Sequence, residues 1–330
     1  MSFIVHGFFS RISSHRFSLL ALFFFIHAGS LLGQTTPPAQ PQAASANILL
    51  LYSYGHGSRG LAVFDDAFIS TLSAAGVDTN SLYFEYLDLE RNKADAQYRS
   101  RIQDLLRRKY ADRHIDLLIT VQQPALGFLL NEGQTLAHGA PAIAIQAPSP
   151  STLEAGDRKI FSQLAQFDVK GTLERALELF PKTQRVVFVS GSSEADRGMA
   201  VNAASIAAPW KSKLDFEFTF VLSLEAMLRR VATLPPNTVI LFTQYNRDID
   251  GRIRAAYEVE GMVVKSANAP VFGLYDFNLR NGGIGGMVVS VKQLGESTGR
   301  LALDLMQGKL KLTQPVTSTV NDVVPMFDWS

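Results

Sequence analysis

The chain has 330 residues, 47% of them apolar, with 31 basic and 30 acidic side chains. Near-neutral charge without a basic stripe argues against a nucleic-acid binder. The absence of cysteine excludes disulfides, thiolate metal sites, a cysteine nucleophile and a thiol-linked lipid anchor.

Arg11, His15 and Arg16 precede an apolar run from Phe17 to Leu32, and no acidic residue occurs before Asp65. A basic flank followed by an apolar core of this length is the pattern of a secretory signal. The segment TTPPAQPQAASA follows, too polar and Pro-rich to bury a core. Residues 1–46 therefore read as a signal peptide and flexible leader. Export to the periplasm is expected, with the new N-terminus between Gln34 and Asn47. An uncleaved N-terminal anchor is the other reading. Without Arg11 and Arg16 the chain carries 29 basic and 30 acidic residues.

From Asn47 onward, strands and helices alternate. Apolar runs predict strands over Asn47–Tyr52, Leu82–Tyr86, Ile115–Val121 and Pro141–Ile145. Helical spacing predicts helices over Leu61–Ala75, Ala94–Tyr110 and Pro124–Asn131 between them. A Pro/Ser-rich break, APSPSTLEAGD, follows. The alternation then resumes, with strands over Arg185–Ser190, Phe216–Val221, Thr238–Thr243 and Pro270–Leu274, and with Val316–Val320 as a last strand. Helices are predicted over Val169–Phe180, Glu194–Lys211, Leu224–Leu234, Asp250–Ala267 and Lys292–Met306. Continuously apolar strands imply parallel sheets covered on both faces. The fold class is α/β: two Rossmann-like parallel-sheet lobes with a hinge and an interlobe cleft. One lobe spans 47–150 and the other 168–275, and 276–330 crosses back towards the first. Residues 147–167 and the Gly-rich stretch of 276–286 are the expected hinges.

Ligands of open parallel sheets bind at the loops after the carboxyl ends of strands. In the first lobe these loops offer Ser53, Tyr54, Gln122, Gln123 and Gln146. In the second they offer Ser190, Gly191, Tyr245 and Asp276. Hydroxyls, carboxamides and aromatic rings suit a small polar or aromatic ligand. Tyr54 and Tyr245 are expected to meet one ligand from opposite lobes.

Catalytic constellations are missing. His56, His114 and His138 have no metal spacing, and Ser190-Gly191-Ser192-Ser193 is not a nucleophile elbow. Gly282-Gly283-Ile284-Gly285-Gly286 lacks the spacing of a nucleotide loop and reads as a flexible turn. Asn246-x-Asp248-x-Asp250-Gly251 opens like a calcium loop, but Tyr257 stands where the bidentate Glu belongs. The expectation is a binding protein rather than an enzyme, with no cofactor and no metal.

NILLLYSYGHG, FDDAFISTLSAAGVD, EYLDLERN, LLRRKYADRHIDLLITVQQPALGFLL and GAPAIAIQAP follow one another in the first half. GTLERALELFPKTQRVVFVSG, TVILFTQYNRDIDG and APVFGLYDFNLRNGGIGGMVVS follow in the second. In order and spacing these stretches resemble ABC-transporter substrate-binding proteins of the group whose best-understood members bind aromatic amino acids. They also resemble the extracytoplasmic sensor region of membrane histidine kinases. The resemblance implies a periplasmic-binding-protein type I-like fold that closes on its ligand. It carries over Ser53, Tyr54, Gln123, Gln146, Gly191, Tyr245 and Asp276 as ligand contacts. It implies a small-molecule ligand and, as protein partner, an ABC permease or a membrane sensor kinase. Relatives often carry acidic residues where this chain has Gln122-Gln123, so a ligand ammonium would lose a partner. In the sensor relatives a stretch like Phe327-Asp328-Trp329 continues towards a membrane span. The chain is thus expected to be either a free-standing binding protein or a sensing module without its transmitter.

Overall fold

The computed structural model describes residues 46–56, 59–147, 155–313, 315–320 and 323–328, all within one compact unit spanning 43–330. The signal and leader, residues 1–46, lie outside the described residues except for Ala46.

The first half runs β1 (Ile48–Tyr52), α1 (Arg59–Ala74), β2 (Leu82–Tyr86), α2 (Tyr98–Lys109), β3 (Leu117–Val121), α3 (Gln123–Asn131), β4 (Ala142–Ile145) and β5 (Ile160–Ala165). The second runs α4 (Val169–Leu179), β6 (Arg185–Val189), α5 (Glu194–Ala207), β7 (Asp215–Phe218), α6 (Leu224–Val231), β8 (Thr238–Phe242), α7 (Ala256–Ser266) and β9 (Val271–Gly273). A 3-10 turn (Asp276–Asn281), β10 (Gly285–Val289), α8 (Val291–Met306), β11 (Val316–Val320) and β12 (Val323–Phe327) complete the chain.

Two six-stranded sheets result. The first has the order β11-β5-β4-β3-β1-β2 and is parallel throughout. The second has the order β12-β10-β9-β8-β6-β7 and is parallel except for β12, which runs against β10. Alternate residues of one strand feed opposite cores. Leu49 and Leu51 pack with Leu126 and Phe128 on one face of the first sheet, and Ile48, Leu50 and Tyr52 pack with Phe68 and Leu294 on the other. Val187 and Val186 divide in the same way between the two cores of the second lobe. Each such aliphatic side chain contributes roughly 1.5–3 kcal/mol by leaving water, which is why the strands read as unbroken apolar runs.

The lobe boundaries differ from the expected ones. The expected hinge loop, 147–167, contains β5, an internal strand between β4 and β11. Its sequence, IFSQLA, is broken in the middle by Ser162 and Gln163 and so lacks an apolar run. The second expected hinge is not a linker either. Gly285 and Gly286 lie in β10, where a Cβ on Gly285 would stand 2.0 Å from the Met326 carbonyl oxygen. Those glycines admit a neighbouring strand rather than supplying hinge freedom. The chain passes between the lobes after β5, after β10 and after β11. Within 276–330, α8 packs on α1 and β11 pairs with β5, while β10 and β12 belong to the second sheet. Gly295 and Gly299 of α8 lie so close to α1 that a Cβ would meet the Phe64 carbonyl oxygen at 2.5 Å and Thr71 Cβ at 2.8 Å.

Candidate functional site

A cavity of about 380 Å³ opens between the carboxyl ends of the two sheets. Its inner wall is apolar and buried: Phe64, Val121, Ile145, Val291 and Leu294. Tyr54, Asp88, Gln122 and Gln146 enter from loops of the first lobe. Gln244, Asn246, Tyr257, Tyr275 and Phe277 enter from the second.

The backbone is unusual at three of these positions. Asp88, Gln122 and Gln146 have φ of 46°, 71° and 53°, and they follow β2, β3 and β4. Five non-glycine residues have positive φ among the described residues, and three of the five line the cavity. L-residues adopt such conformations at a cost of order 1–3 kcal/mol, and they cluster where ligands are held. Main-chain bonds hold two of them in place: Gln122 N–H donates to the Ile145 carbonyl (2.7 Å), and Gln146 N–H donates to the Gln163 carbonyl (2.8 Å).

The rings form a fixed group. Tyr275 and Phe277 stack at 4.8 Å with an interplanar angle of 16°, and Phe167 meets Tyr275 edge-on at 5.1 Å. Gln146 hydrogen-bonds the Tyr275 hydroxyl. Burial pushes the Tyr275 phenol up, and burial together with the Glu90 carboxylate does the same for Tyr54. Both remain neutral donors across the physiological range. Two helices begin at the cavity, α3 after Gln122 and α7 after Ala255, and neither N-cap residue closes its helix with a side chain. The first N–H groups of α7 favour an acceptor on the ligand, whereas in α3 Pro124 has no N–H and that of Ala125 is taken by the Ser53 hydroxyl.

Charge is confined to the margin. Asp88 pairs with Arg91 at 3.5 Å, and Arg254 and Glu258 are exposed. Beside the cavity, Arg247 Nη2 of the second lobe donates to Glu90 Oε2 of the first at 3.1 Å. The loop carrying Arg247 is anchored by buried Asp196, whose carboxylate accepts from the N–H groups of Ser193 (3.0 Å), Asn246 (3.0 Å) and Arg247 (3.4 Å).

Three of the nine expected contacts, Tyr54, Gln122 and Gln146, line the cavity. The others shape it or lie elsewhere. Ser53 is buried, and its hydroxyl donates to the Val121 carbonyl (2.7 Å) and accepts from Ala125 N–H (2.9 Å), joining β1 to the start of α3. Gln123 is exposed as the first residue of α3 and is not among the lining residues. Ser190 is buried, and its N–H donates to Thr219 Oγ1 at 3.1 Å. At Gly191 a Cβ would stand 2.3 Å from Asp196 Oδ2, so glycine is required for loop packing. Asp276 caps α8 by accepting from Val291 N–H at 3.0 Å. Tyr245 is a core residue, 1% exposed and packed with Met227, Val259 and Val263, so it does not meet Tyr54 across the cleft.

Nothing in the sequence marks Phe64, Asp88 or Tyr257, and after β9 it points to Asp276 where the adjacent Tyr275 and Phe277 line the cavity. Residues 250–255, expected to be helical, precede α7, and Ile253, Arg254 and Ala255 of this segment line the cavity. The calcium-like stretch serves structure. Arg252 bonds Asp248 at 2.9 Å, Asp250 at 3.1 Å and Glu225 at 2.6 Å, so a guanidinium neutralises the one carboxylate cluster of metal-binding spacing among the described residues.

No family model and no curated protein matches the chain. Solved structures do match. The ABC domain in complex with L-Trp from Streptococcus pneumonia superposes with a TM-score of 0.57 at 16% identity, covering 84% of this chain and 90% of that one. A ligand-free, open substrate-binding protein with adhesive properties from Clostridium difficile gives 0.56 at 16% identity, covering 84% and 90%. A periplasmic sugar-binding protein of an ABC sugar transporter from Legionella pneumophila gives 0.56 at 14% identity, covering 84% and 100%. The chain thus has the two-lobed, periplasmic-binding-protein type I-like fold of ABC substrate-binding proteins, a fold that LacI-family transcriptional regulators share.

Proposed function

We propose that this chain is an extracytoplasmic solute-binding protein that captures a small polar or aromatic ligand between its lobes for an ABC-transporter permease. The observation that carries this reading is the cavity walled by strand-end loops of both sheets, with strained backbone at Asp88, Gln122 and Gln146. The fold shared with substrate-binding proteins supports transport, and the basic-then-apolar start supports export to the periplasm. The protein binds without chemistry: the polar groups lining the cavity suit hydrogen bonding and stacking.

A thermal-shift screen of amino acids, nucleobases, nucleosides, sugars and small acids tests the reading. A ligand at 100 times its Kd adds about 2.7 kcal/mol of stability. Tyr54 lines the cavity, half-buried, so Tyr54→Ala should leave the unliganded melting temperature nearly unchanged. It should weaken every hit by more than about tenfold, or roughly 1.4 kcal/mol. Hits that stabilise Tyr54→Ala as much as the wild type would place binding outside the cleft.

A further inference from the structure

We propose that the cleft selects an uncharged nitrogen heterocycle, a nucleobase or its nucleoside, gripped at its edges by the carboxamides of Gln122 and Gln244 and on its face by the Tyr275–Phe277 pair. The proposal rests on the cleft being the binding site and goes on to name what enters it.

The distribution of charge carries the first half of the argument. The buried wall is hydrocarbon, and the formal charges that line the cavity sit at its margin and cancel. Asp88 is matched by Arg91, and the exposed Arg254 by the exposed Glu258. A ligand bringing a net charge or a zwitterion into that interior would give up hydration without gaining a buried counter-ion. A neutral ligand escapes this penalty.

The amides carry the second half. A carboxamide presents one donor face and one acceptor side by side, the complement of a heterocycle edge such as N6–N7 of adenine. Gln122 comes from the first lobe and Gln244 from the second, and neither side chain has a hydrogen-bond partner among the described residues. A third amide is pre-set: Asn246 Nδ2 donates to Asp196 Oδ1 at 2.8 Å, which turns its oxygen to the accepting role. The ring pair, braced edge-on by Phe167 and held by Gln146, offers a rigid aromatic surface for a planar ligand. Planarity, paired donor and acceptor edges and net neutrality together describe a nucleobase.

Isothermal titration of the full chain with adenine, guanine, cytosine, uracil and their ribonucleosides tests this, with L-Trp, L-Phe and trehalose titrated in parallel. At least one base or nucleoside should bind at 1:1. Gln122→Leu and Gln244→Leu should each weaken it by about tenfold or more, with far-UV circular dichroism unchanged. If one variant misfolds, the other decides. Binding of an amino acid or the sugar with no binding of any base or nucleoside would overturn the selectivity and leave the cleft reading standing. Base binding undiminished in the folded variants would overturn the edge recognition. Silence from every probe would overturn the inference, while the thermal-shift screen still judges the cleft.

Discussion

Tyr245→Ala should cost about 3–5 kcal/mol of folding stability, the loss expected on emptying a large aromatic site in a closed core. Tyr245 is surrounded by Met227, Val231, Val259 and Val263, between the second sheet and the helices α6 and α7. Its hydroxyl is buried and has no hydrogen-bond partner. An unpaired buried hydroxyl is itself unfavourable by about 1–3 kcal/mol. Tyr245→Phe should therefore match or exceed the wild type in stability while Tyr245→Ala falls far below it. Urea unfolding of the three proteins checks both statements. A Tyr245→Ala midpoint equal to that of the wild type would contradict the core assignment.

The second large effect concerns Glu260. This side chain of α7 is fully buried, and burial pushes its carboxyl up to about 7 from an ordinary 4.5. Asn281 Nδ2 donates to Oε2 at 2.6 Å, the Asn278 side chain also favours the charged form, and no cation is paired with the carboxylate among the described residues. The folded state thus keeps a proton that the unfolded chain releases above about pH 4.5. Stability is fully present below that value and is lost as pH rises through about 7, by roughly 3 kcal/mol in all. Glu260→Gln stays neutral and should escape this loss. Near pH 5 the variant and the wild type should have similar urea midpoints, and by pH 8 the variant should be clearly more stable. Equal differences at both pH values would show that Glu260 does not titrate in this window. The consequence reaches the cleft, because α7 begins at the cavity wall and Asn281 ends the 3-10 turn that carries Phe277.

The fold was legible where burial is complete. ILLLY, LLITV and TVILF are buried at every position, so their hydrophobicity has no gaps to misread. Strands that depart from that pattern were lost: β5 carries Ser162 and Gln163, and β10 begins with two glycines. At the ends of β8 and β9 the expected contacts fell within one residue of the lining ones. At the end of β8 the expected contact was Tyr245, while Gln244 and Asn246 face the cavity. After β9 it was Asp276, while Tyr275 and Phe277 do. Successive side chains of extended backbone point to opposite sides, so after β8 an error of one position exchanges a ligand contact for a core residue, while at the start of the 3-10 turn Asp276 turns back to cap α8. Phe64 gave no signal, because an apolar residue on an amphipathic helix looks the same whether it packs on a sheet or on a ligand.

In the proposed function one ligand bridges the two lobes. Ligand contacts from both lobes stabilise the closed arrangement, because only closure satisfies both sets. Small-angle X-ray scattering with and without a ligand already shown to bind tests this most directly. The account predicts a smaller radius of gyration at saturation with unchanged helix content. An identical radius of gyration in the two states would contradict it.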